Sequence, residues 1–135
     1  MVTYVLVHGG GHGGWCYQRV ARRLRSAGHE VYTPTLTGLG ERSHLVGPGV
    51  DLGTHIQDIT ALLHYEDLRE VILVGHSYGG MVITGAADRA AMRVGRLVGE
   101  LERLLEALPR VPGQPVRHPG EIPGIRHPVG RARVR

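Results

Sequence analysis

The stretch VILVGHSYGGMV, residues 71 to 82, constrains this chain more than any other. An apolar run rich in β-branched residues ends at Gly75 and a helical pattern begins near Gly79, so a buried strand must become a helix within Gly75-His76-Ser77-Tyr78-Gly79. So sharp a junction puts Ser77 on strained backbone, and side chains two positions to either side would meet neighbouring backbone. Gly75 and Gly79 remove those collisions, and Gly80 is expected to give the new helix room near the sheet. With 21 Gly and 3 Ser in the chain, about 0.07 such G-x-S-x-G windows are expected by chance, before the strand-turn-helix setting is required.

The rest of the chain supplies a sheet for that strand to join. TYVLVH (3–8) reads as a buried strand, GGGHGG (9–14) as a loop, and WCYQRVARRLRSAG (15–28) as a helix with Val20, Leu24 and Ala27 inward and Gly28 as its C-cap. HEVYTP (29–34) is a second strand ended by Pro34, and residues 35–50 form a glycine-punctuated loop of functional length. A second helix starts near Asp51 as N-cap and turns Ile56, Ile59, Leu62 and Leu63 inward. EVILVG (70–75) is the third strand, a helix follows over about 79–90, and RVGRLV (93–98) is the fourth strand. Strands alternating with helices predict an α/β fold with a doubly wound parallel sheet of about four strands and right-handed crossovers. Residues 99–108 form an amphipathic helix through Leu101, Leu104, Leu105 and Leu108. Residues 109–135, with 6 Pro, 6 Arg and 4 Gly, are expected to be a disordered tail.

In a sheet wound both ways from its first strand, the first and third strands are neighbours and their C-terminal loops share one crevice. The glycine loop in VHGGGHGGW (7–15) therefore belongs beside Ser77. The backbone N–H groups of Gly10 and Tyr78 would converge on an oxyanion there, and Ser77 would stand at a helix N-terminus, where developing negative charge is favoured. His8, Gly9, Gly11 and His12 are expected to line or support that pocket, and His76 to support the turn while pointing away from the serine.

Together these two segments resemble the α/β-hydrolase superfamily, over residues 1 to about 98. The branch resembled contains plant hydroxynitrile lyases, plant methyl-ester esterases and bacterial esterase-like proteins. The resemblance implies that Ser77 is a nucleophile, that Gly10 and Tyr78 supply oxyanion-hole amides, that the substrate is a small carboxylic ester, with lyase chemistry left open because that branch performs both, and that no cofactor is needed. It also implies a later acid and then a histidine, because such a serine needs a histidine base oriented by a carboxylate. From about Gly99 the chain departs from the family pattern. Glu100, His118 and His127 fall in the right order but sit in or beside Pro-rich sequence, and Asp88 lies roughly 16 Å down the helix axis from Ser77. Residues 1–98 are thus expected to be the N-terminal part of a hydrolase, followed by unrelated sequence such as off-frame translation of GC-rich DNA would give. The chain alone is expected to lack a complete catalytic set.

Other functional classes carry less of the sequence. Gly9, Gly11 and Gly14 formally spell G-x-G-x-x-G. A dinucleotide site, however, wants an acidic residue at the end of the second strand, where Tyr32, Thr33 and Pro34 stand, and no P-loop lysine exists. A non-catalytic remnant, or a subunit completed by another polypeptide, would leave the fourth strand as an apolar edge prone to self-association. The 9 His show neither H-E-x-x-H spacing nor partner cysteines, so no metal is expected. The net charge of +4 belongs to the tail: residues 1–108 hold 10 Arg against 11 acidic residues, and 109–135 hold 6 Arg against one Glu. That tail has no interleaved aromatic residues and no recognised motif, so no nucleic-acid partner is expected. No apolar run approaches the ~18 residues a membrane helix needs, no signal peptide is visible, and the lone Cys16 fits a reducing cytoplasm.

Overall fold

The computed structural model describes residues 1–99. The helix expected over 99–108, the tail over 109–135, and Glu100, His118 and His127 lie outside the described residues. Four strands alternate with three α-helices: β1 (Thr3–Val7), α1 (Gln18–Ser26), β2 (Glu30–Tyr32), α2 (Leu52–Tyr65), β3 (Val71–Gly75), α3 (Tyr78–Arg89) and β4 (Val94–Val98). All four strands are parallel in the order β2-β1-β3-β4, so β1 and β3 are neighbours as expected.

The two-residue period of the strands divides the core. Val5 and Val7 of β1 and Val71 and Leu73 of β3 pack with Ile56, Ile59 and Leu63 of α2 and Val82, Ile83 and Ala86 of α3. Leu6 and Val74 face the other way, onto Tyr17, Ala21 and Leu24. Helices thus cover both faces, and Val5, Leu6 and Val7 are wholly buried, each contributing about 1.5–3 kcal/mol. In α1, Leu24 is buried and Val20 is half-buried against the same cluster, as expected, but the third inward residue is Ala21 and not Ala27, which is exposed. Its first turn is a 3-10 turn over Gly14–Tyr17, anchored by the Tyr17 hydroxyl donating to the Val7 carbonyl at 3.0 Å.

Helix ends follow the local chemistry. Gly28, at φ +88°, ends α1: its N–H bonds the Arg25 carbonyl while His29 N–H reaches Leu24, a Schellman arrangement. Asp51 caps α2, accepting from Thr54 N–H at 3.0 Å while the Thr54 hydroxyl accepts from Asp51 N–H. The segment expected to be an open loop over 35–50 contains a 3-10 helix at Gly40–Leu45. β4 pairs with β3 through a bulge in which Gly95 is the extra residue, and Gly95, Arg96 and Leu97 are exposed at this edge of the described sheet.

Candidate active site

The C-terminal ends of β1 and β3 are in register, Val7 opposite Gly75, so the segments that follow them leave the sheet side by side. His76 N–H continues the ladder by bonding the Val7 carbonyl at 3.1 Å, and the chain then reverses at Ser77, at φ 52° and ψ −119°. A non-glycine residue with positive φ costs of order 1–3 kcal/mol and persists only where its surroundings over-determine it. Those surroundings explain two glycines. A Cβ on Gly75 would stand 2.5 Å from the Gly79 carbonyl oxygen, and one on Gly79 would strike the Val7 carbonyl oxygen and lie 2.7 Å from that of His8. Gly80 is different from the expectation: a Cβ there would meet nothing within 4 Å, so the helix needs no extra room at that position.

The glycine loop runs beside the serine. A Cβ on Gly9 would lie 3.4 Å from Ser77 Cβ and 3.2 Å from the His76 ring, so the chain at Gly9 runs against the turn. Ser77 is exposed, as are Gly10, Gly11 and His12 around it. Neither Gly10 N–H nor Tyr78 N–H is taken by another backbone carbonyl among the described residues; the next two amides, of Gly79 and Gly80, bond back to His76 and Ser77 at 2.9 and 2.8 Å. The Ser77 side chain does not cap α3. His12 packs edge-on against the exposed Trp15, with ring centroids 6.1 Å apart.

His8 does not line the pocket. It is wholly buried, its Nδ1–H donates to the Gly9 carbonyl at 2.8 Å and its Nε2 accepts from Leu36 N–H at 3.0 Å. Burial therefore holds its pKa below the ordinary histidine value and keeps the ring neutral. Thr35, also buried, accepts from Gly14 N–H at 2.8 Å and donates to Glu41, whose carboxyl is lowered chiefly by that bond. Arg42 reaches the Thr35 carbonyl at 2.9 Å. The segment after β2 thus holds the glycine loop at both ends, through His8 and through Gly14.

A second buried histidine, His55 on α2, went unremarked in the sequence. Its Nε2–H donates to the Thr37 carbonyl at 2.8 Å and its Nδ1 accepts from the Tyr78 hydroxyl at 2.6 Å. Asp58 accepts from Thr37 N–H and from the Thr37 hydroxyl, both at 2.7 Å. The signal available in the sequence was the spacing of His55 and Asp58, one turn apart beside Ile56 and Ile59, facing a threonine-rich segment that follows a strand end. Among the described histidines, none is hydrogen-bonded to the Ser77 side chain. No group of three or more potential metal ligands occurs among the described residues, and no described helix is long and apolar enough to cross a membrane.

A strand-to-helix turn of this shape, beside a glycine loop at the meeting point of β1 and β3, coincides with a family-wide match over residues 4–135 to the model described as Alpha/beta hydrolase family. The chain belongs to the α/β-hydrolase family. That match runs past residue 98, where the resemblance read from the residues stopped. Among relatives, the chain is 59% identical over 98 residues to the carbendazim hydrolyzing esterase of Nocardioides sp. (strain SG-4G), which covers 73% of this chain and 40% of that protein. It is 36% identical over 99 residues to methyl jasmonate esterase 1 of Vitis vinifera, covering 67% of this chain and 35% of that one. Among solved structures, an extracellular α/β-hydrolase from a Paenibacillus species, described as sharing structural and functional homology with tobacco salicylic acid binding protein 2, superposes with a TM-score of 0.66. The sequence identity there is 31%, over 72% of this chain and 39% of that structure. The chain thus spans about two fifths of the length of these relatives.

Proposed function

We propose that this chain carries the nucleophile and the oxyanion-stabilising groups of a serine hydrolase acting on small carboxylic esters. The observation that carries the reading is Ser77 itself, held at φ 52° on a strand-to-helix turn beside the glycine loop. Esterases among the family relatives support an ester substrate. In the reaction, Ser77 Oγ attacks the ester carbonyl carbon and the carbonyl oxygen becomes an oxyanion received by the N–H groups of Gly10 and Tyr78. Collapse of that intermediate breaks the bond to the alkoxy oxygen, which leaves as the alcohol with a proton, and water then hydrolyses the acyl-serine. Gly75 and Gly79 let the turn close, while His76 lends its backbone to the ladder.

The proton of Ser77 must go to a base, and neither buried histidine can take it. Both ring nitrogens of His8 and of His55 are already committed to protein partners. Glu100 with His118 or His127 is the arrangement left to test. A non-catalytic role is the second reading, favoured by the lack of a hydrogen-bond partner for the Ser77 side chain among the described residues.

Intact mass of the purified chain, before and after a fluorophosphonate probe, separates the two, with Ser77→Ala alongside. The hydrolase reading expects one adduct, absent from the alanine variant, and slower adduct formation in His118→Ala or His127→Ala if one of these is the base. A folded protein that takes no adduct supports the non-catalytic reading.

A further inference from the structure

We propose that His55 is a positioning residue for the Ser77 site: it fixes the side chain of Tyr78 and so the backbone N–H beside the serine. This rests on the ester-hydrolase reading for its catalytic meaning, although the hydrogen-bond chain that supports it does not.

Tyr78 is the first residue of α3, and the Ser77 side chain gives that helix no cap. The Gly79 and Gly80 amides bond back to the His76 and Ser77 carbonyls, which leaves the Tyr78 amide as the one of these three that no backbone carbonyl among the described residues holds. Here the same turn follows a residue at φ 52° and must present an amide in a fixed direction. Oxyanion donors serve only when held within about 0.5 Å of the productive position. Something must therefore hold Tyr78 from outside α3, and the side chain that touches its hydroxyl is His55.

The bonding pattern fixes what His55 does. A carbonyl oxygen only accepts, so the nitrogen 2.8 Å from the Thr37 carbonyl is protonated. The other nitrogen of the neutral ring is then an acceptor, and the Tyr78 hydroxyl donates to it at 2.6 Å. Burial raises the Tyr78 hydroxyl pKa above the ordinary tyrosine value, which keeps that donor proton in place. Asp58 holds both the amide and the hydroxyl of Thr37, so the Thr37 carbonyl is aimed at the ring by a second set of bonds. The rings of His55 and Tyr78 also meet edge to face, 5.6 Å apart at 86°. The charged and titratable groups around this pair are Asp51, at the start of the same helix, and His8, beneath the glycine loop. The chain Asp58, Thr37, His55, Tyr78 thus runs from the middle of α2 to the residue after Ser77 without a gap.

The test uses three variants of the whole chain. His55→Phe keeps a buried ring and removes both bonds, Tyr78→Phe removes the hydroxyl alone, and the double variant asks whether the two act through one link. Two readouts are taken on each. Hydrogen exchange of the Gly79 and Gly80 amides, which close the first turn of α3, should speed about tenfold in either single variant and no further in the double. Exchange in α1 should not change. The rate of fluorophosphonate addition at Ser77 should fall about tenfold in the same variants, with no further loss in the double.

Unchanged exchange at Gly79 and Gly80 in folded His55→Phe would overturn the positioning role, whatever the probe does. Faster exchange with an unchanged rate of addition would overturn its link to catalysis. No adduct in the unaltered chain would remove the ester-hydrolase reading, and the exchange data would still decide whether His55 holds the turn. Should His55→Phe not fold, the Tyr78→Phe exchange data decide the matter, and nitrogen NMR of the unaltered chain checks the ring: protonated Nδ1 on His55 would refute the proposal directly.

Discussion

Two adjacent glycines should respond to the same substitution with opposite signs. Alanine at Gly79 places a methyl group against the Val7 and His8 carbonyl oxygens, the latter at 2.7 Å, at the end of the central strand β1 and the residue that follows it. Backbone there cannot rotate aside as a side chain could, so α3 and β1 must separate. Such overpacking costs typically about 1–3 kcal/mol, and the upper end is expected because the obstacle is main chain on a buried strand. Alanine at Gly80 meets nothing within 4 Å and lies inside α3. It gains helix propensity and restricts the unfolded chain, worth about 0.5–1 kcal/mol. At about 5 °C per kcal/mol for a domain of this size, Gly79→Ala should lower Tm by about 15 °C and Gly80→Ala should raise it by about 3–5 °C. Thermal melts followed by circular dichroism, with urea titrations to check that the m-value is unchanged, give both numbers. Destabilisation by both substitutions to a similar extent would refute the packing of this turn as described.

The strain at Ser77 should be recoverable: Ser77→Gly, which accepts φ 52° freely, is expected to stabilise the protein by about 1 kcal/mol while abolishing the fluorophosphonate adduct, read by urea denaturation and intact mass. His8 should make stability depend on pH. Its pKa is lower folded than unfolded, so between the two values the unfolded chain binds more protons, and the stability from the neutral ring is complete above about pH 6.5 and declines as pH falls below it. Urea midpoints from pH 8 to pH 5 should show that decline, and it should flatten in His8→Asn; an equal decline in the variant would remove His8 as its source. Thr35→Val keeps the shape but leaves Gly14 N–H without its acceptor, which should cost about 1–3 kcal/mol in the same denaturation assay.

The alternation of apolar runs and helical periods was enough to place β1, α1, β2, α2, β3, α3 and β4 to within a few residues, because the central strands β1 and β3 are largely buried on both faces and each helix has one apolar stripe. The turn was legible for a stronger reason. Gly75 and Gly79 are demanded by main-chain contacts that follow from any strand-to-helix reversal of this kind, so their spacing announces the geometry. Gly80 carried no such demand, and nothing in a single sequence separates a glycine that is required from its neighbour that is not. That His8 supports the glycine loop was one of its two expected roles, but the partners of the polar supports were not legible. His8 and His55 look alike in the sequence as isolated histidines beside apolar residues, yet each finds its partners on distant segments, Leu36 for one and Thr37 and Tyr78 for the other. Those pairings depend on where the chain after β2 crosses the top of the sheet, and no local period records that path. The Gly40–Leu45 helix was missed for a similar reason: Glu41 and Arg42 are drawn to Thr35, a tertiary attraction that glycine-rich composition conceals.

The use made of the two buried histidines bears on how this site divides its chemistry. A general base needs one ring nitrogen with a free lone pair facing the nucleophile and the other held by an acceptor. In His8 the lone pair is taken by Leu36 N–H, and in His55 by the Tyr78 hydroxyl. Both rings are therefore spent on architecture, one holding the loop that contains Gly10 and the other holding Tyr78. The groups that would stabilise negative charge are assembled by β1, β3 and the segments after them, independently of the group that would accept the serine proton. That separation has an energetic counterpart: triad enzymes stripped of their triad members still retain roughly 10³–10⁴-fold acceleration over water, from oxyanion stabilisation and binding. On the ester-hydrolase reading, the Ser77 turn and the Gly10 loop would receive the tetrahedral oxyanion, and proton transfer would be a second function that a histidine from elsewhere in the fold adds without rebuilding them.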